Sequence, residues 1–131
     1  MNVLITGITG FVGSHMADFI LKNSDANIYA IKRWRSPIGN IKHLLENKRV
    51  IFIEADLLDR GSLREAITVS LPDLVYHFAS QSFPGASFKI PAKTLETNVI
   101  GTTNLLDELK IARDSGLCDP KIISVSSSEV Y

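Results

Sequence analysis

Five short runs rich in β-branched residues recur along the chain, at 2–6, 27–31, 50–54, 74–78 and 121–125, with longer segments of helical spacing between them. Strands buried on both faces read as continuous apolar runs, and strand–helix alternation of this kind packs as a parallel sheet covered by helices on both sides. Right-handed crossovers make 3-2-1-4-5 the natural strand order. The expected class is therefore α/β, a doubly wound parallel sheet of about five strands that breaks off after the fifth. Residues 11–22 place Phe11, Met16, Phe19 and Ile20 on one helical face, and Ile41, Leu44 and Leu45 suggest a helix after the second strand. Ser62 and Glu65 have the spacing of a capping box, opening a helix with Leu63, Ala66 and Ile67 inward. A polar loop is expected at 80–89. The longest helix is expected at 92–114, its apolar positions being Leu95, Val99, Leu105, Leu106, Leu109 and Ala112, with Gly116 as its stop.

Composition excludes several function classes. With 131 residues, 45% of them hydrophobic, and a formal net charge of zero, the chain offers neither a nucleic-acid surface nor a disordered tail. Cys118 is the single cysteine, so a disulfide framework and a cysteine metal site are both out, and His15, His43 and His77 form no cluster with carboxylates. No stretch reaches the ~20 apolar residues that cross a bilayer. The N-terminus lacks the basic region of a signal peptide. A cytoplasmic location fits this pattern, with no metal, nucleic acid or membrane as partner.

The first strand runs into Gly7-Ile8-Thr9-Gly10-Phe11-Val12-Gly13, and a helix starts there. One glycine of such a turn allows the sharp bend, one lets backbone N–H groups approach a pyrophosphate, and one lets helix and strand come close. The anion would sit on the free amides at the helix N-terminus. Residues 1–131 thus read as the N-terminal part of a Rossmann-like NAD(P)-binding domain.

The second strand decides between the two dinucleotides. NAD enzymes usually carry an acid about 20 residues past the glycines for the ribose 2′-hydroxyl. None occurs from Ala26 to Leu45, and the strand ends Lys32-Arg33-Trp34-Arg35. The guanidinium groups of Arg33 and Arg35 suit a 2′-phosphate in charge and forked geometry, which favours NADP, with NAD as the alternative.

The glycine turn, Asp56-Leu57, Ala79-Ser80-Gln81-Ser82, Asn98-Val99-x-Gly101-Thr102 and the closing run 126–131, in this order, resemble the extended short-chain dehydrogenase/reductase family of sugar-nucleotide epimerases, dehydratases and reductases. The resemblance implies that Asp56 bonds the adenine amino group beside the Leu57 backbone, and that Ala79 and Ser80 line the cofactor. It implies that Asn98 braces backbone near the active site, and that Ser82 and Ser87 lie on a loop approaching the substrate. It places the catalytic hydroxyl at Ser127, where it would bond the sugar 4-oxygen. Glu129, two residues on, resembles the acid of a dehydratase, because loss of water across C5 and C6 needs proton transfer at both carbons. The run 127–131 is most similar to the GDP-mannose 4,6-dehydratase branch, which prefers NADP; the dTDP-glucose branch has an aspartate where Ser128 stands.

The resemblance also implies a Tyr-x-x-x-Lys pair, which this sequence lacks. Tyr29 is followed four residues later by Arg33 and Tyr76 by Ser80, while Tyr131 matches an earlier turn of the family. The expectation is a cofactor-binding half, with the rest of the site and the substrate-binding part beyond residue 131, inactive as this chain. The intact enzyme would take a nucleotide sugar and form homo-oligomers. An epimerase or keto-sugar reductase fragment, a stand-alone nucleotide-binding module and an inert folding unit are the competing readings.

Overall fold

The computed structural model describes residues 1–127. Five strands, β1 (Asn2–Thr6), β2 (Asn27–Lys32), β3 (Val50–Glu54), β4 (Leu74–His77) and β5 (Lys121–Ser124), form one parallel sheet in the order β3-β2-β1-β4-β5. This is the expected doubly wound order. Central β1 pairs on both sides, Val3 with Ile28 and Leu74, Ile5 with Ala30 and Tyr76.

Successive side chains on β1 point to opposite faces, so each face receives its own core. Val3 and Ile5 pack with Ile8, Ala17, Ile20, Ile28, Ile41 and Leu44 under α1 (Phe11–Asn23) and a 3₁₀ helix (Gly39–Leu44). Leu4 packs with Leu63, Ile67, Val75, Leu105 and Leu109 under α2 (Arg60–Ser70) and α5 (Gly101–Asp114). Two layers around a fully buried strand make β1 the centre of the molecule.

Several expected details shift for physical reasons. The buried face of α1 is Gly13, Ser14, Ala17 and Ile20, with Met16 packed at its edge, whereas Phe11 and Phe19 fall on the opposite side of the helix and are exposed. Helix α2 begins at Arg60, and its cap is Asp59, whose carboxylate accepts from the Gly61 and Ser62 amides. The Ser62 hydroxyl instead donates to the Asp59 carbonyl at 2.9 Å and accepts from the Asp56 amide at 3.1 Å. The segment expected to be a loop contains α3 (Pro84–Lys89). The long helix is composite: α4 (Pro91–Leu95), a π turn (Glu96–Ile100), then α5. Leu105, Leu109 and Ala112 face the core, while Leu95, Val99 and Leu106 face solvent.

Helix α5 is clamped to α2 by charge. Buried Glu108 accepts from Arg60 Nε at 2.8 Å and Arg64 Nε at 2.9 Å. Arg64, and then Arg60, hold its carboxyl below the usual carboxylate range against the upward push of burial. At the other end of the sheet, Arg49 donates to the Ser24 and Leu21 carbonyls and so closes the C-terminus of α1.

Candidate dinucleotide cleft

At the carboxyl ends of β1, β2, β3 and β4 lies one cleft of about 560 Å³. Its floor is the turn 7–13. Gly7 has a left-handed φ of 75°, and a Cβ there would stand 2.7 Å from the Ala79 amide nitrogen, so the turn lies directly against the end of β4. A Cβ on Gly13 would stand 2.3 Å from the Gly7 carbonyl oxygen, which closes α1 onto the turn. Gly10 differs: its backbone is extended, and a Cβ would meet the same oxygen at 3.3 Å. The first amides of α1 have no intrahelical acceptor, and no acid occupies its first turn, so this end of the cleft presents donors and a positive dipole. The cradle is thus shaped and charged for a phosphate-bearing ligand.

A buried network fixes the height of the floor. Thr6 Oγ1 accepts from the Ala79 amide at 3.2 Å and bonds His77 Nδ1 at 2.7 Å, while His77 Nε2 bonds Thr102 Oγ1 at 2.9 Å. Burial lowers the His77 pKa, and a neutral ring serves two hydroxyls as donor and acceptor. His77 is therefore a packed structural residue that ties β1, β4 and α5 together.

Of the residues singled out in the sequence, Gly7, Thr9, Gly10, Phe11, Val12, Gly13, Arg33, Asp56, Leu57, Ala79, Ser80 and Ser82 line this cleft. Arg35 is not among the described lining residues; its guanidinium lies over the Trp34 ring at 4.6 Å. Ser87 is not among them either, and its hydroxyl donates to the Pro84 carbonyl at 2.7 Å. Asp56 lends one carboxylate oxygen, Oδ1, to the Leu58 amide at 2.9 Å. Ser127 is exposed beyond β5, and Glu129 lies outside the described residues.

The cleft also collects Lys32 and Gln81, quoted within motifs but given no role, and Ser36, Lys93 and Thr97, which pattern reading passed over. Asn98 is the brace that the resemblance implied, accepting from the Gln81 amide at 2.7 Å and donating to its carbonyl at 3.0 Å. Asn40 Nδ2 donates to the Thr9 carbonyl at 3.0 Å, fastening the segment after β2 to the glycine turn. No motif announces Asn40, since its partner is 31 residues away. Among the described residues Lys32, Arg33 and Arg35 form no ion pair, and no group of His, Cys, Asp and Glu could hold a metal. None of their helices is long and apolar enough to cross a membrane.

A parallel sheet in this order, with a glycine turn and helix N-terminus at the switch point, defines a Rossmann-type nucleotide-binding unit. The family model described as GDP-mannose 4,6 dehydratase matches residues 4–131, and the chain belongs to that family. A UDP-glucose 4-epimerase of Mycoplasma genitalium is 36% identical over 131 residues, covering 99% of this chain and 37% of the relative. A GDP-mannose 4,6-dehydratase of Vibrio cholerae is 32% identical over 138 residues, covering 99% and 36%. The solved structure of UDP-glucose 4-epimerase from Brucella ovis in complex with NAD superposes with a TM-score of 0.82 at 30% identity, over 99% of this chain and 37% of that one. The chain thus spans little more than a third of the length of these relatives, and epimerases resemble it as closely as dehydratases do.

Proposed function

We propose that this chain is the cofactor-holding part of an NADP-dependent sugar-nucleotide 4,6-dehydratase of the GDP-mannose type. The observation that carries the cofactor choice is the end of β2, where Lys32 and Arg33 line the cleft, without an ion pair among the described residues, in place of an acid. An uncommitted guanidinium beside the ribose end favours a 2′-phosphate by charge and by its fork of donors. The amides of the turn 7–13 and of the start of α1 hold the pyrophosphate, and the Asp56 oxygen left over from the Leu58 amide takes the adenine amino group. Ala79 and Ser80 border the cofactor past β4.

In the intact protein the bound nicotinamide would take and return hydride at the sugar. The Ser127 hydroxyl would hold the 4-oxygen, and Glu129 would move the proton that accompanies loss of water across C5 and C6. Ser82 borders the substrate side; Arg35 and Ser87, turned to other partners, rank below Arg33 and Ser82 as contacts. As a 131-residue chain it turns over no nucleotide sugar, which an assay of keto-sugar release from GDP-mannose checks. Homo-oligomers form through the solvent-facing side of the composite helix, and the cytoplasm is its place of work.

A second reading, an NAD-dependent epimerase, is favoured by the 36% identity to a UDP-glucose 4-epimerase and by the NAD in the Brucella ovis structure. Calorimetric titration with NADPH and NADH separates the two. Tighter NADPH binding that Arg33→Ala removes and Arg35→Ala changes less supports the NADP reading. Equal or tighter NADH binding overturns it, leaving an NAD-dependent enzyme of the epimerase kind as the better reading than an NADP-dependent GDP-mannose type.

A further inference from the structure

Lys93 is the one cation, among the described lining residues, that reaches the cleft from the β4 side; Lys32 and Arg33 reach it from the β2 side. Lys93 and Thr97 are four residues apart and turn one helical face toward the cleft, with Glu96 on the flank of that face. The helical segment that carries Lys93 is fastened to the cleft wall five residues on, where Asn98 bonds the Gln81 amide and carbonyl. Its ammonium, in contrast, is engaged with Glu96 Oε2 at 2.8 Å in a pair whose side chains are 53% and 51% exposed. Such a pair has little net strength and exchanges readily for a better anion. Among the described lining residues Asp56 is the only acid and lies past β3, so the carboxylate an incoming anion must displace from Lys93 is that of Glu96.

We propose that Lys93 is a phosphate-binding residue of the cleft, with Glu96 as the carboxylate that holds its ammonium until a ligand arrives. This rests on the reading of the cleft as a dinucleotide site. The chemistry is that of a diphosphate, belonging either to the dinucleotide or to a nucleoside diphosphate group bound next to it. No bond is made or broken; a flexible ammonium exchanges one oxyanion for another.

The test is calorimetric titration of the 131-residue chain with NADPH, and with GDP at saturating NADPH. Lys93→Met should weaken one of the two ligands about 3-fold to 10-fold, the size of one charge-assisted contact near a surface. Glu96→Gln should tighten the same ligand about 2-fold by releasing the ammonium. The double variant should match Lys93→Met, and Lys93→Arg should stay near wild type. An effect confined to NADPH assigns the cofactor's diphosphate, and one confined to GDP assigns that of a neighbouring ligand. Wild-type binding that Lys93→Met leaves unchanged overturns the inference while sparing the dinucleotide reading. Weakening by Glu96→Gln as large as that by Lys93→Met also overturns it, since the ion pair would then matter as structure. A wild-type chain that binds neither ligand sinks the dinucleotide reading, and the inference with it. Thermal melting of each variant, expected unchanged at these exposed positions, shows that affinity and not folding is being read.

Discussion

The glycine turn and the segment after β2 face the same cleft but are built on opposite terms. The turn is held by sterics: Gly7 and Gly13 have no room for a methyl group, and backbone meets backbone at the end of β4. The β2 segment is held more loosely; Arg33, Trp34 and Arg35 are exposed, and beyond them Asn40 Nδ2 donates one hydrogen bond to the Thr9 carbonyl of the turn. The first region can hardly change without loss of the fold. The second can change its charge at almost no cost in stability. On the proposed reading of the cleft, anchoring of a cofactor and choice between cofactors would therefore fall to different regions.

Gly13→Ala should break the contrast most severely. With its Cβ 2.3 Å from the Gly7 oxygen, either α1 or the turn must move, and a loss of about 3 kcal/mol or complete unfolding is expected in urea denaturation. Thr6→Val comes next, leaving the Ala79 amide and a His77 nitrogen short of a partner in a buried place. A cost of about 1–3 kcal/mol should appear as a lower denaturation midpoint. The same network gives a pH dependence. Above 6.5, the ordinary histidine value, His77 is neutral folded and unfolded and adds no slope. As pH falls below 6.5 the unfolded chain takes a proton that the buried ring resists, so stability declines until the lowered folded pKa is reached. His77→Gln should flatten midpoint against pH just below 6.5, with the later loss from Glu108, whose lowered carboxyl stabilises at higher pH, left intact.

Two smaller effects sharpen the comparison. Gly10→Ala keeps an allowed backbone and a tolerable 3.3 Å contact, so melting should fall by only a few degrees. Nucleotide affinity should fall more, because the added methyl enters the cradle. Asn40→Ala removes the hydrogen bond that ties the segment after β2 to the Thr9 carbonyl. Melting should be near wild type, within about 0.5 kcal/mol for an exposed site, while the ratio of NADPH to NADH affinity declines. An unchanged ratio would show that the Arg33 segment keeps its place without Asn40.

What the amino-acid order determined by itself was the strand content, the parallel order of the sheet and the turn at its switch point. These depend on short-range regularities: a β-branched run, a helical period, a glycine where no Cβ fits. Strand pairing then follows from the right-handedness of crossovers, which holds in about 98% of such connections. The same regularities misjudged α1, because they placed Phe11 and Phe19 on the inner face, whereas the face centred on Gly13, Ala17 and Ile20 turns to the sheet and leaves both phenylalanines outside. Tertiary structure decided the rest. Arg33 and Arg35 look equivalent in sequence, and only the folded segment turns one to the cleft and the other onto Trp34. Asn40, Lys93 and Thr97 carry no motif and acquire their place by contacts with residues distant in the chain, as does the pairing of Glu108 with Arg60 and Arg64. Side-chain periodicity reports on one element at a time, whereas the direction of a loop side chain is set by whichever elements pack against it. For that reason the anchor of this cleft is legible in the sequence, and its charged rim only in the fold.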